Sequence, residues 1–167
     1  MRVCAQIDVS ATPEQVWEFI TDPERYLHFM HGVTRWEVDG SQRKGLGARY
    51  RMLMRVGSAE VGGRVEVTEF DAPRDMAWNS VTGIDQRGRW RVRERIQSHP
   101  PRTHVELRLS YGVAGAGLLG WLSERVAAPT VTDNLRRSLQ QLKRAVEHEQ
   151  LRRAAAERRS ARASASA

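Results

Sequence analysis

The sequence holds one cysteine, Cys4, in 167 residues. That excludes an intramolecular disulfide, and a lone thiol makes no zinc site. No stretch approaches the roughly 20 apolar residues of a membrane-spanning helix. The opening "MRVCAQIDVSATPEQ" lacks the apolar run of a secretory signal, so the chain reads as cytoplasmic. Catalytic signatures are scarce as well. There is no G-x-S-x-G nucleophile elbow. "GLG" at 45–47 and "GAG" at 115–117 lack the rest of a phosphate-binding loop. Of His28, His31, His99, His104 and His148, only the first two stand at helical spacing, and no third ligand is near them. No metal and no cofactor is expected. As single groups, His28 and His31 read as loop histidines or as proton carriers near neutral pH.

What is present is ordinary in bulk and informative in pattern. Hydrophobic residues make up 40% and charged residues 28%, values that suit one folded domain with a real core. The net charge of +7 is shared between the body and a basic tail, since residues 148–167 hold five arginines and two glutamates. Such a balance favours anionic partners but does not specify a fold.

"VCAQIDVSA" alternates apolar and polar residues as a half-buried strand does. In "ATPEQVWEFI", Thr12 suits an N-cap, Pro13 the first helical position and Gln15 the reciprocal place in a capping box. "TDPERYLHFM" repeats the device with Asp22 and Pro23, which predicts two short helices in succession. From Val33 to Tyr111 the period is two. "VTRWEVD" is one strand. "GARYRMLMRV" puts Tyr50, Met52, Met54 and Val56 opposite Arg49, Arg51 and Arg55. "EVGGRVEVTEF" puts Val61, Gly63, Val65 and Val67 opposite Arg64, Glu66 and Thr68. After the turn "DAPRD" come "MAWNSVT" with Met76, Trp78 and Ser80, "GRWRVRERI" with Trp90, Val92, Glu94 and Ile96, and "THVELRLSY" with Val105, Leu107, Leu109 and Tyr111.

Consecutive strands with short turns predict an antiparallel meander, apolar on one face and charged on the other. The apolar face needs a cover. A helix from about Leu118 to Val146 supplies it, with Trp121, Ala128, Leu135, Leu139, Leu142 and Val146 on one side. At about 1.5 Å per residue it would run roughly 40 Å, with a kink expected at Pro129. "GVAGAGLLG" reads as a flexible lead-in, and residues 148–167 as a basic tail, frayed and then disordered. The expected fold class is α+β: a curved seven-stranded antiparallel sheet, two short helices and a long C-terminal helix, in a domain spanning residues 1–147. Glycines, flexible Met52 and Met54, and large Trp78 and Trp90 share the inward face. That mixture suits an apolar cavity as well as a filled core.

The segments "IDVSATPEQVWEFITDPERYLHFM", "GGRVEVTEFDAPRDMAW", "GRWRVRERI" and "NLRRSLQQLKRAVE" make the chain from about Val3 to Glu147 resemble the SRPBCC superfamily, also called START-like or Bet v 1-like. More narrowly, they resemble its polyketide cyclase/dehydrase and lipid-transport branch. The resemblance implies a helix-grip fold with a ligand cavity between sheet and last helix. It also implies members that bind lipids, polyketides or other apolar molecules, some of them enzymes.

On this reading the partner is a small hydrophobic ligand. The ligand-contacting candidates are Tyr50, Met52, Met54, Val65, Val67, Trp78, Ser80, Trp90, Val92, Glu94, Leu107, Tyr111 and Leu135. Tyr50, Ser80 and Tyr111 are the hydroxyls that would orient a polar end. Glu94 is the candidate catalytic group for the alternative, a cyclase or dehydratase, because a carboxylate in an apolar pocket titrates high. If it reaches solvent instead, that role falls. A third reading concerns the other face. Arg89, Arg91, Arg93 and Arg95 with Arg49, Arg51, Arg55 and Arg64 form either a solvated sheet laced with ion pairs to Glu60, Glu66, Glu69 and Glu106, or a docking surface for an anionic membrane, RNA or an acidic protein. Trp90 points away from that face, which weakens base stacking.

Overall fold

In a computed structural model, residues 2–56, 58–95, 98, 100–111 and 127–165 are described. The chain runs β1 (Arg2–Val9), α1 (Pro13–Thr21), α2 (Pro23–Phe29), β2 (Val33–Val38), β3 (Arg49–Val56), β4 (Ala59–Asp71), β5 (Asp75–Gly83), β6 (Gln86–Glu94), β7 (Thr103–Tyr111) and α3 (Ala127–Ala165). The seven strands form one antiparallel sheet in the order β1-β7-β6-β5-β4-β3-β2. This is the meander that the period-two pattern predicts, with β1 returning to pair along β7. The fold is the expected α+β class, a curled sheet gripping a long helix.

Both short helices start as their sequences dictate. The Thr12 hydroxyl accepts from the Gln15 backbone N–H at 3.4 Å, and the Gln15 carboxamide accepts from the Thr12 N–H at 2.9 Å. These two bonds complete the capping box. Asp22 caps α2 through the Glu24 N–H at 3.0 Å. Val16, Trp17, Phe19 and Ile20 of α1 and Tyr26 and Phe29 of α2 are buried against the sheet.

The long helix presents Val131, Leu135, Ser138, Leu139, Leu142 and Val146 as its buried stripe. Polar contacts fix its register. The Ser138 hydroxyl accepts from the His31 N–H at 2.8 Å. Lys143 donates to the Asp8 carbonyl at 2.7 Å, and Glu147 accepts from the Ser10 N–H at 2.8 Å.

One expectation about the helix changes, and two fall at or beyond the edge of the described residues. Its expected beginning, Leu118 to Val126 with Trp121, lies outside the described residues, as does the lead-in at 112–120. Pro129 is the third described residue of α3, so the turn before it, where the expected kink would show, lies outside the described residues. The tail expected to fray continues as helix to Ala165. Its alanines and arginines favour helix, and the terminal stretch needs no apolar partner to form it.

The sheet is bent where side chains are missing. A Cβ on Gly62 would stand 1.9 Å from the Met52 carbonyl oxygen, so β3 and β4 approach as only glycine permits. Register shifts between Arg64 and Val65 and between Val67 and Glu69 add local twist. They leave Val81 of β5 half exposed on the outer face.

Candidate functional site

The inner face is occupied chiefly by aromatic rings. Tyr26 stacks on Trp36 with centroids 4.0 Å apart, and Trp36 stacks on Tyr50 at 4.8 Å. Trp78 meets Trp36 edge-on at 6.4 Å, and Phe29 meets Trp90 edge-on at 6.2 Å. Trp90 is fully buried, and its indole N–H donates to the Tyr26 hydroxyl at 3.3 Å. The Trp78 ring lies over Gly88, its cross-strand partner: a Cβ there would fall 1.9 Å from the ring. The hollow between sheet and helix is thus largely filled with tryptophan and tyrosine.

Two voids border the inner face. The smaller, about 10 Å³, is bordered by Ile20, Tyr26, Trp36, Tyr50, Val67 and Trp78. The larger, about 50 Å³, lies between one end of the sheet and α3, against Met52, Met54, Gln86, Leu109, Tyr111 and Val131. Val61, Gly62 and Ile84 complete its wall. Gln86 is its buried polar residue. Its backbone N–H donates to the Ser80 hydroxyl at 3.1 Å, and its carboxamide nitrogen has the Met52 sulfur as partner at 4.0 Å. A thioether is a weak acceptor, so this amide is held loosely.

The candidates from the sequence therefore separate. Met52, Met54 and Tyr111 border the larger void, and Tyr50, Val67 and Trp78 the smaller. Val65, Trp90, Val92, Leu107 and Leu135 are buried in the core and border neither. Ser80 closes the β5–β6 turn. Glu94 shares the parity of Trp90 and Val92 but is exposed, because it is the last residue of β6. The carboxylate placed in an apolar pocket by periodicity is in water, and its proposed acid–base role falls with that. Ile96 lies outside the described residues.

The Tyr50 hydroxyl donates to the Arg43 carbonyl at 2.7 Å, and burial pushes its pKa up to about 12. Burial likewise raises the Tyr26 and Tyr111 hydroxyls above their ordinary value. All three are neutral donors at physiological pH. His28 is exposed, and among the described residues no group of three potential ligands is positioned for a metal.

Gln86, Trp36 and Val131 are the lining or packing residues that the periodicity missed. Gln86 has the parity of Trp90, so extending that strand two residues towards its start would have found it.

The outer face carries the arginines, most of them paired. Asp75, buried at the start of β5, stands 3.5 Å from Arg89 and 3.4 Å from Arg91, and also pairs with Arg93. Arg89 forms a two-pronged contact with Glu69. Arg108 pairs with Glu106 at 2.7 Å, and Arg49 with Glu66 at 2.7 Å. Asp39 serves Arg51 at 3.1 Å and Arg64 at 3.3 Å. Asp8 accepts from Arg95 and contacts His104 at 2.8 Å. Glu60 stands 3.6 Å from Arg55. This is the ion-pair lacing of the bland reading, with Asp75, Asp39 and Asp8 added to the expected glutamates.

Residues 1–147 match the family described as polyketide cyclase / dehydrase and lipid transport. The chain belongs to this family. Solved structures carry the same architecture at low identity. A Thermus thermophilus protein is 22% identical over 89% of this chain and 99% of its own, with a TM-score of 0.74. A Deinococcus radiodurans protein is 20% identical over 86% and 95%, with a TM-score of 0.63. A conserved protein from Geobacillus kaustophilus is 15% identical over 89% and 96%, with a TM-score of 0.68. At these identities the likeness is one of fold. No curated protein matches the chain. Among the described residues of this polyketide cyclase / dehydrase and lipid-transport family member, no helix is long and apolar enough to cross a membrane.

Proposed function

We propose that this family member binds a small hydrophobic ligand, lipid-like or polyketide-like, at the end of the sheet around Met52, Met54, Gln86 and Tyr111, within a binding domain of residues 1–147. The observation that carries the reading is the larger void. Its wall is apolar, two methionines can repack around varied shapes, and one buried carboxamide supplies directional hydrogen bonding. The Gln86 N–H that rests on a sulfur gains a better acceptor from a ligand carbonyl or hydroxyl. At about 50 Å³ the void is smaller than the roughly 300 Å³ or more of a ligand pocket. Binding therefore requires Met52, Met54 and the Val131 end of α3 to move apart. Carriage rather than turnover is the favoured activity, because among the described residues no carboxylate or histidine borders this void and the Glu94 side chain is exposed.

The test is native mass spectrometry of gently purified protein, with titration of an apolar fluorophore. A retained apolar mass, or saturable fluorophore binding weakened about tenfold by Met54→Trp, supports the reading. Absence of both, or binding indifferent to Met54→Trp and Gln86→Leu, overturns it.

A further inference from the structure

The ion-pair lacing of the outer face stops short at one end. Read across the strands, each outward row has its own composition. The row Gln6, Glu106, Arg91, Asp75 alternates charge and amide, and the row Asp8, His104, Arg93 includes its own carboxylate. In the row Cys4, Arg108, Arg89, Ala77, the arginines face each other but are held by Glu106 and Glu69. The row Arg2, Ser110, Arg87, Asn79 has two arginines flanking a serine and no carboxylate. Its next member across the sheet, Glu66, is paired with Arg49. Among the described residues, Arg2 and Arg87 have no ion-pair or hydrogen-bond partner.

The same place is concave. A groove of about 440 Å³ opens on the outer face between Arg2, Arg87, Arg89, Arg91 and Arg108, with Glu69 as the carboxylate on its wall. Ala77 and the Gly88 backbone form part of its lining, and the small outward side chain of Ala77 leaves a depression between long side chains. Asn79, Ser110 and Thr68 add neutral hydrogen-bonding groups. Glu69 is already taken up by Arg89, so it leaves the charge of Arg2 and Arg87 uncancelled.

We infer that this groove is a binding site for a phosphate-bearing small molecule, with Arg2 and Arg87 gripping the phosphate, Ser110 donating between them and Asn79 donating from the far side of Arg87. Guanidinium groups present forked N–H donors that match a tetrahedral oxyanion, and the bonds are charge-assisted. Neighbouring strands stand about 4.8 Å apart, so Arg2 and Arg87 straddle Ser110 at roughly twice that spacing, within reach of one shared anion. An anion there relieves the repulsion between them. The groove exceeds what one phosphate fills, which assigns an organic portion to the ligand. A flat bilayer does not enter a depression. Among the described residues no aromatic ring lines the groove for base stacking, and Trp90 is buried on the other face. The site is separate from the inner void: Arg87 and Ser110 follow and precede Gln86 and Tyr111 on the same strands but face the opposite way.

The test is calorimetric titration of the full chain with inorganic phosphate and with pyrophosphate at constant ionic strength. A parallel arm uses vesicles of phosphatidylcholine with phosphatidic acid. Saturable binding is expected, weakened about tenfold by Arg87→Gln and by Arg2→Gln, each the loss of one charge-assisted contact. Arg87→Lys should restore part of it. Arg144→Gln, which removes the same charge from an exposed position on α3, should change nothing. Equal weakening by Arg144→Gln reduces the effect to net charge and overturns the site. Vesicle binding without phosphate or pyrophosphate binding overturns it in favour of a membrane surface. No saturable binding of either phosphate overturns it outright.

Discussion

The two faces of this sheet are made by the same alternation and held together by different physics. The inner face is a contact problem. Trp36 stacks on Tyr26 and meets Trp78 edge-on, while Trp90 meets Phe29 edge-on and hydrogen-bonds Tyr26. The outer face is a charge problem. Asp75 alone meets arginines from three positions on β6, closely at Arg93 and more loosely at Arg89 and Arg91. Damage to the first should be local and severe, and damage to the second distributed and mild.

The inner face is broken most by truncation. Trp90→Ala removes a fully buried ring that also donates to Tyr26, and should cost about 3–5 kcal/mol, read as a lowered denaturant midpoint. Adding a single methyl group tests the same face from the other side. Gly88→Ala drives a carbon into the Trp78 ring and should cost about 1–3 kcal/mol, with altered near-ultraviolet dichroism reporting the displaced indole.

The outer face should yield most gently, to acid. The hydrogen bond from His104 holds the Asp8 carboxyl below its ordinary 3.8, against an opposing effect of burial. For Glu106, burial alone would raise the carboxyl, but hydrogen bonds from Arg108 and Gln6 outweigh it and hold it below 4.5. Both groups titrate lower folded than unfolded. Their contribution is therefore complete above about pH 4.5 and drains away as pH falls through the lowered values. Thermal midpoints measured downward from pH 6 should stay level to about pH 4.5 and then decline. Glu106→Gln should flatten part of that decline, and a decline already under way between pH 6 and 5 would contradict the assignment.

Periodicity made the strands, the faces and the buried stripe of α3 legible, because burial repeats every second or every 3.6 residues and the residue types follow it. Trp78, Trp90, Val92 and Leu107 were placed by that rule and are buried. The rule states which side of a strand a residue takes, and nothing about how far the covering layer reaches. Glu94 has the inward parity but sits where β6 ends, beyond cover. Gln86 has the same parity at the other end and is enclosed. Asp75 looked like turn chemistry because its arginines come from β6, distant in the chain and adjacent in the sheet. The register shifts near Thr68 and Val81 depend on backbone pairing that no composition encodes. Whether large inward side chains enclose space or fill it was equally open, since it depends on how Trp36 and Tyr26 stack.

The Trp78 indole N–H, buried without a hydrogen-bond partner beside the stacked rings, has an optical consequence. Every described tryptophan, at 17, 36, 78 and 90, is buried, so their emission originates from a dry surrounding. A guest or a water molecule that reaches Trp78 changes the polarity of an excited state that has no competing partner. The protein thus carries an unlabelled optical gauge of its own interior.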